Sequence, residues 1–168
     1  KPGQALDLGS RSLEFILTPM IHWPDNMVSY LPEDKILFSN DAFGQHLASS
    51  ERFDNELSLG IIMEEAKKYY ANIVLPYGRQ VQGVLDKVLE LDIEMIAPSH
   101  GVIWSTFVPE IIKKYKKWSA NETDDKALII YDTMWESTKK IAYAIEEAFE
   151  AKDVSTKMLN LSTTHRSD

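Results

Sequence analysis

The sequence predicts an α/β protein built in two parts, on three observations. Short apolar runs of strand type alternate with amphipathic helical patterns along all 168 residues. A polar stretch around residue 120 has no apolar periodicity and separates two regions of different character. Beyond it, a continuous apolar run passes through a hydroxyl-rich loop into a helix and then a second strand, the order of a parallel βαβ unit.

Each element has its own local signal. Leu13 to Leu17 is a short apolar run ending at Thr18-Pro19 and reads as a strand. Met27 to Leu31 and Lys35 to Ser39 flank Pro32-Glu33-Asp34, whose Pro and Asp favour a hairpin turn. Asn40-Asp41-Ala42-Phe43-Gly44 then leaves the second strand as a loop. Leu59, Ile62, Met63, Ala66 and Tyr70 recur at helical spacing. Pro76 is expected to interrupt the chain before a second helix carrying Val81, Val84, Leu85, Val88 and Leu91. Met95-Ile96-Ala97 reads as a strand running into Pro98-Ser99-His100-Gly101. Pro109, suited to a first helical turn, opens a third helix with Ile111, Ile112, Tyr115 and Trp118.

Residues 120–125 are read as a linker between a first part, 1–119, and a second, 126–168. In the second part, Ala127-Leu128-Ile129-Ile130-Tyr131 has the unbroken apolar character of a strand buried on both faces. Ile141, Ala144, Ile145, Ala148 and Phe149 are expected to form the buried stripe of the following helix. Val154 to Leu161 reads as the next strand. This second part holds too little core to fold alone, so further sequence or another chain is expected to complete its sheet.

Composition narrows the function. Hydrophobic residues make up 44% and charged residues 26%, the balance of a soluble globular protein. No apolar run approaches the roughly 18 residues of a membrane span. Lys1-Pro2-Gly3-Gln4 lacks the pattern of a signal peptide, and with no initiator Met the chain is expected to begin inside a longer protein. There is no cysteine, which excludes disulfides and thiolate metal sites and fits a cytoplasmic location. A net charge of −8 argues against nucleic acid as a partner. It suits solubility, and also a docking surface for a charged redox partner.

Three residues stand at strand ends with side chains that bind metals. His22 follows the first predicted strand, Asp41 the third and His100 the fourth. Imidazole nitrogen and carboxylate oxygen form the ligand set of zinc or non-haem iron, and a carboxylate has two oxygens with which to bridge two cations. The same spacing also fits an Asp41 that caps a turn beside unrelated histidines. His46, in the loop after Asp41, is a candidate pocket wall or indirect support for a ligand. Tyr69 and Tyr70 are similar candidates, with core packing as the role of at least one. His165 reads as a surface residue.

The loop Thr133-Met134-Trp135-Glu136-Ser137-Thr138 joins a strand to a helix. Free N–H groups at the helix start and three hydroxyls make it a candidate phosphate cradle. An ordinary capped helix start has the same composition.

Taken together these motifs resemble a family. His22-Trp23-Pro24-Asp25, then Phe38-Ser39-Asn40-Asp41-Ala42-Phe43-Gly44, then Pro98-Ser99-His100-Gly101 is similar to the latter half of the metallo-β-lactamase-like domain of flavodiiron proteins, and the intervals of 19 and 59 residues between the three positions agree. Ile130 to Thr138 looks like the FMN phosphate loop that opens a flavodoxin-like domain. There Gly often stands where Glu136 is, so the Glu136 carboxylate is expected to point outward.

The resemblance implies the C-terminal half of an αββα domain joined to the first βαβ unit of a doubly wound domain. His22 and His100 would each bind one of two irons and Asp41 would bridge them, while residues 133–138 would hold FMN. A first ligand cluster, His-x-Glu-x-Asp-His, is expected upstream of Lys1. The implied activity is reduction of dioxygen to water, nitric oxide to nitrous oxide, or both, with electrons passing from FMN to the di-iron site. The implied partners are a rubredoxin-like protein or a deazaflavin as electron donor and a second copy of the chain, head to tail. A di-zinc hydrolase and a catalytically inert scaffold fragment are the alternatives.

Overall fold

The computed structural model describes residues 5–165. Lys1-Pro2-Gly3-Gln4 and the end of the second part, 166–168, lie outside the described residues. The chain divides into two compact units, Lys1–Glu122 and Thr123–Asp168.

The first unit contains a five-stranded sheet in the order β1 (Ala5–Asp7), β2 (Ser12–Leu17), β3 (Met27–Leu31), β4 (Ile36–Asn40), β5 (Met95–Pro98). The strands from β1 to β4 pair antiparallel in sequence, and β5 joins β4 in parallel. Since β2 and β4 both oppose β3, the strands β2, β4 and β5 run in one direction. Their C-terminal ends therefore share one rim of the sheet. The short strand β1, three exposed residues, has no apolar signal and was not expected.

The helices follow the predicted periodicity with one difference. Between α1 (Leu59–Tyr69) and α2 (Gly78–Leu89) there is no loop. The chain stays helical but changes pitch, with a π segment at Tyr70–Val74 and a 3-10 turn at Leu75–Tyr77. Pro76 sits in the first turn of that 3-10 segment, where its missing N–H costs least. Pro109 likewise lies in the first turn of α3 (Val108–Ser119).

Side chains alternate across the strands, so one face of the sheet is apolar and buried. Val28, Tyr30, Leu37 and Ile96 pack there with Ile62, Ala66, Val81, Leu85, Ile111 and Tyr115 from the helices. On the other face Met27 and Phe38 are exposed. No helix of the described residues is long and apolar enough to cross a membrane.

The second unit is β6 (Lys126–Tyr131), α4 (Ser137–Glu150) and β7 (Ser155–Asn160), with the two strands parallel and in register from Lys126 against Ser155 to Tyr131 against Asn160. It corrects two expectations. β6 is not buried on both faces: Ile129 is buried, whereas Leu128 and Ile130 are 57% and 55% exposed. The expected buried stripe of α4 also faces outward. Ala142 is the helix residue that is buried, while Ile141, Ala144, Ile145, Ala148 and Phe149 line an open apolar groove. The reason is geometric. Two strands about 5 Å apart make a platform narrower than a helix about 10 Å wide, so only one line of helix residues is covered.

Candidate metal centre and phosphate loop

The shared rim brings three loops together. His22 lies in the loop between β2 and β3, closed by Thr18 N–H to the Asn26 carbonyl (2.9 Å) and Met20 N–H to the Trp23 carbonyl (2.7 Å). Asp41 leaves β4 in a tight turn in which Gly44 N–H donates to the Asp41 carbonyl at 3.2 Å. His100 follows β5, and Ser99 N–H donates to the Asn40 carbonyl at 2.7 Å, tying the ends of β4 and β5. Gly44 permits the close approach of the Asp41 and His100 loops. A Cβ there would sit 3.0 Å from the Asp41 carbonyl and 3.4 Å from the His100 Cβ.

The three side chains meet. His22 Nε2 is 3.1 Å from Asp41 Oδ2, and His100 Nε2 is 3.2 Å from Asp41 Oδ1. Asp41 is the most enclosed, its side chain 14% exposed against 26% for His22 and 53% for His100. Each histidine thus addresses a different carboxylate oxygen. Among the described residues no group of three or more such side chains is gathered tightly enough to hold a metal ion by itself. The arrangement fits half of a two-cation site better than one complete shell: a carboxylate that can be shared, with one imidazole on each side.

The supporting candidates separate. The buried ring of Tyr69 stands edge-on to His46, centroids 4.7 Å apart, and 5.8 Å from the His100 ring. Burial, with the nearby Asp41 charge adding, pushes its hydroxyl up to about 12. His46 is exposed. Tyr70 turns into the core instead, against Tyr115 (5.1 Å) and Trp118 (5.2 Å). Its hydroxyl is buried without a hydrogen-bond partner, and burial pushes it up to about 12. His165 is exposed.

Two buried amides at this rim were not anticipated from the sequence. Asn26 bonds Thr18 Oγ1, the Ile21 carbonyl and Asn40. Gln45 bonds Phe43 and Val102. Neither stands in a motif, and a lone amide gives no sequence signal.

In the second unit the loop after β6 leads into the N-terminus of α4. Thr133 Oγ1 is buried and has no hydrogen-bond partner, while Thr133 N–H donates to Asp132 Oδ1 at 2.8 Å. An orphaned buried hydroxyl beside a helix start suits an acceptor-rich group such as phosphate. Ser137 and Thr138 are exposed, and Met134 and Trp135 are 85% and 84% exposed. Glu136 has φ +63°, a left-handed backbone that a residue without a Cβ adopts at least cost. Its carboxylate points outward, 68% exposed and 3.1 Å from Lys139 Nζ.

Comparison with known proteins agrees with this architecture. The family described as ODP family beta lactamase matches residues 1–101. The nitric oxide reductase of Moorella thermoacetica is 46% identical over 170 residues, covering 100% of this chain and 43% of its own. The coenzyme F420H(2) oxidase of Methanothermobacter marburgensis is 45% identical over 172 residues, covering 100% of this chain and 42% of its own. The crystal structure of the flavodiiron protein from Giardia intestinalis superposes with a TM-score of 0.95 at 33% identity, over 99% of this chain and 41% of that one. The chain thus spans about two fifths of the length of the curated relatives it matches. It belongs to the ODP beta-lactamase family.

Proposed function

We propose that this chain is part of a flavodiiron oxidoreductase. Residues 1–119 are read as the latter half of a metallo-β-lactamase-like di-metal domain and 120–125 as a linker. Residues 126–168 are read as the start of a flavodoxin-like FMN domain. The observation that carries the reading is the Asp41 carboxylate with His22 on one oxygen and His100 on the other.

When bound, two non-haem irons supply the redox chemistry that reduces dioxygen to water or nitric oxide to nitrous oxide, with electrons delivered from FMN. The residues of this chain hold and orient. His22 and His100 would each hold one cation through an imidazole nitrogen, and Asp41 between them would offset positive charge. Tyr69 and His46 wall the His100 side and limit water there. Thr133 and the amides at the start of α4, with residues 134–138, would hold the FMN phosphate. The names of the two relatives support both an oxidase and a nitric oxide reductase activity.

The donor is read as a rubredoxin-like protein or a reduced deazaflavin, the location as cytoplasmic, and the assembly as a head-to-tail homodimer. A short polar linker limits how far an FMN domain can fold back on its own metal site. A closed two-fold pair would instead set the flavin of one subunit beside the metal site of the other.

The test is the full-length protein. Two irons and one FMN per chain, with consumption of dioxygen or nitric oxide on reduction, are expected. Two zinc ions, no flavin and hydrolytic turnover would overturn the proposal. For the assembly, mixing a subunit unable to bind FMN with one unable to bind metal should restore part of the activity. Full turnover by a verified monomer would rule the pairing out.

A further inference from the structure

We infer that Asn26 and Gln45 are positioning residues that hold the two histidines against Asp41 separately, Asn26 on the His22 side and Gln45 on the His100 side. The inference rests on the two-cation reading of the site given above.

Asn26 is 4% exposed, yet each of its polar atoms is engaged. Its Nδ2 donates to Thr18 Oγ1 at 2.8 Å and to the carbonyl of Ile21, the residue before His22. Its Oδ1 accepts from Asn40 Nδ2 at 2.5 Å, one residue before Asp41. One side chain therefore ties both ends of the His22 loop to the strand end that presents Asp41.

Gln45 is 1% exposed and does the corresponding work on the other side. Its Nε2 donates to the Phe43 carbonyl at 3.0 Å and to the Val102 carbonyl at 3.4 Å, and its Oε1 accepts from Val102 N–H at 2.7 Å. Its backbone N–H donates to the His100 carbonyl at 3.1 Å. These bonds join the turn after Asp41 to His100 and to Val102, just beyond it.

A buried amide left unsatisfied is costly, so a side chain with donor and acceptor both matched fixes its surroundings more tightly than an apolar one of equal size. Here each of these hydrogen-bond partners of the two amides lies in or beside a loop that carries His22, Asp41 or His100. The two sets share no side chain. Asn40, a partner of Asn26, also accepts from Ser99 Oγ at 3.2 Å, and neither Asn40 nor Ser99 is among the partners of Gln45. Releasing one amide should therefore loosen one histidine and leave the other in place.

The test uses apolar replacements of similar volume, Asn26→Leu and Gln45→Met, in the full-length protein, with cobalt(II) titrated into the metal-free form and its visible spectrum as the readout. The unmodified protein should bind two ions per chain. Each variant should keep one ion and bind the other 10- to 100-fold more weakly, the range typical for lost support of a metal ligand. Pairing each variant with a histidine deletion identifies the side affected. His22→Ala should add little to Asn26→Leu but abolish the remaining ion in Gln45→Met, and His100→Ala should do the reverse.

Circular dichroism and thermal melting show whether the variants fold. If folded variants bind both ions as the unmodified protein does, or lose both together, the inference is overturned. So is it if neither variant folds and the milder Asn26→Ser and Gln45→Ala also show no one-sided loss. If the unmodified protein takes up no metal, the two-cation reading itself falls, and the inference with it.

Discussion

A Cβ placed on Gly101 would lie 2.1 Å from Oε1 and 2.8 Å from Cδ of Gln45, so the two residues divide a space that cannot hold both side chains as they stand. Gly101 also has φ +84°, in the region that L side chains rarely adopt. Gly101→Ala should therefore destabilise the full-length protein by about 1–2 kcal/mol from the backbone alone. Displacing the Gln45 amide should add roughly 1 kcal/mol for each hydrogen bond lost. Urea unfolding measures the sum, and an unchanged midpoint would show that Gln45 is not tightly held.

Asp41→Asn keeps the size of the side chain but leaves one acceptor oxygen where the carboxylate has two. With His22 and His100 on different oxygens, the amide cannot serve both sides. Elemental analysis of the purified full-length variant should find at most one metal ion per chain. Two ions at normal affinity would mean that the carboxylate is not shared.

Thr133→Val tests the phosphate loop with opposite signs in two states. Without flavin, the buried Oγ1 lacks a partner, so its removal should leave stability unchanged or raise it slightly. With flavin, losing a charge-assisted hydrogen bond should weaken FMN binding by about 1.5–3 kcal/mol. Fluorescence titration and thermal melting of the flavin-free protein separate the two effects. Loss of stability without loss of affinity would assign Thr133 to the core.

Glu136→Gly should be mildly stabilising, because Glu136 holds φ +63° at a cost of about 1–2 kcal/mol relative to a residue without a Cβ. Part of this is offset by the greater freedom of Gly in the unfolded chain. The exposed pair with Lys139 contributes little. Removing a carboxylate beside the phosphate cradle should also tighten FMN binding. A drop in melting temperature would indicate that the Glu136 side chain carries contacts beyond the pair with Lys139.

The strands and helices of the first unit were legible because a one-sided core imposes period 2 on strands and 3.6 on helices. Val28 and Leu37, or Ile62 and Ala66, carry that pattern plainly. His22, Asp41 and His100 could be placed at strand ends for the same reason. Asn26 and Gln45 could not be found this way, since their importance lies in partners distant in sequence and an amide has no periodic signature. In the second unit Leu128, Ile130 and the Ile141–Phe149 stripe are apolar enough for a covered environment yet stand exposed within residues 123–165. Apolarity alone does not say whether the cover lies within residues 123–168. The pitch change at Tyr70–Val74 had no sequence signal beyond Pro76.

The direction of the strands has a consequence for engineering. Because β2, β4 and β5 all end at the rim of His22, Asp41 and His100, the turn at Pro32–Asp34 between β3 and β4 belongs to the opposite rim. That rim is fastened by exposed ion pairs, Arg11 with Asp34 and Lys35 with Glu94, which are individually worth little. A spectroscopic label, an affinity tag or an inserted peptide at Glu33–Asp34 would therefore perturb none of the three loops. The experimenter has a handle there that is separated from His22, Asp41 and His100 by the length of the sheet.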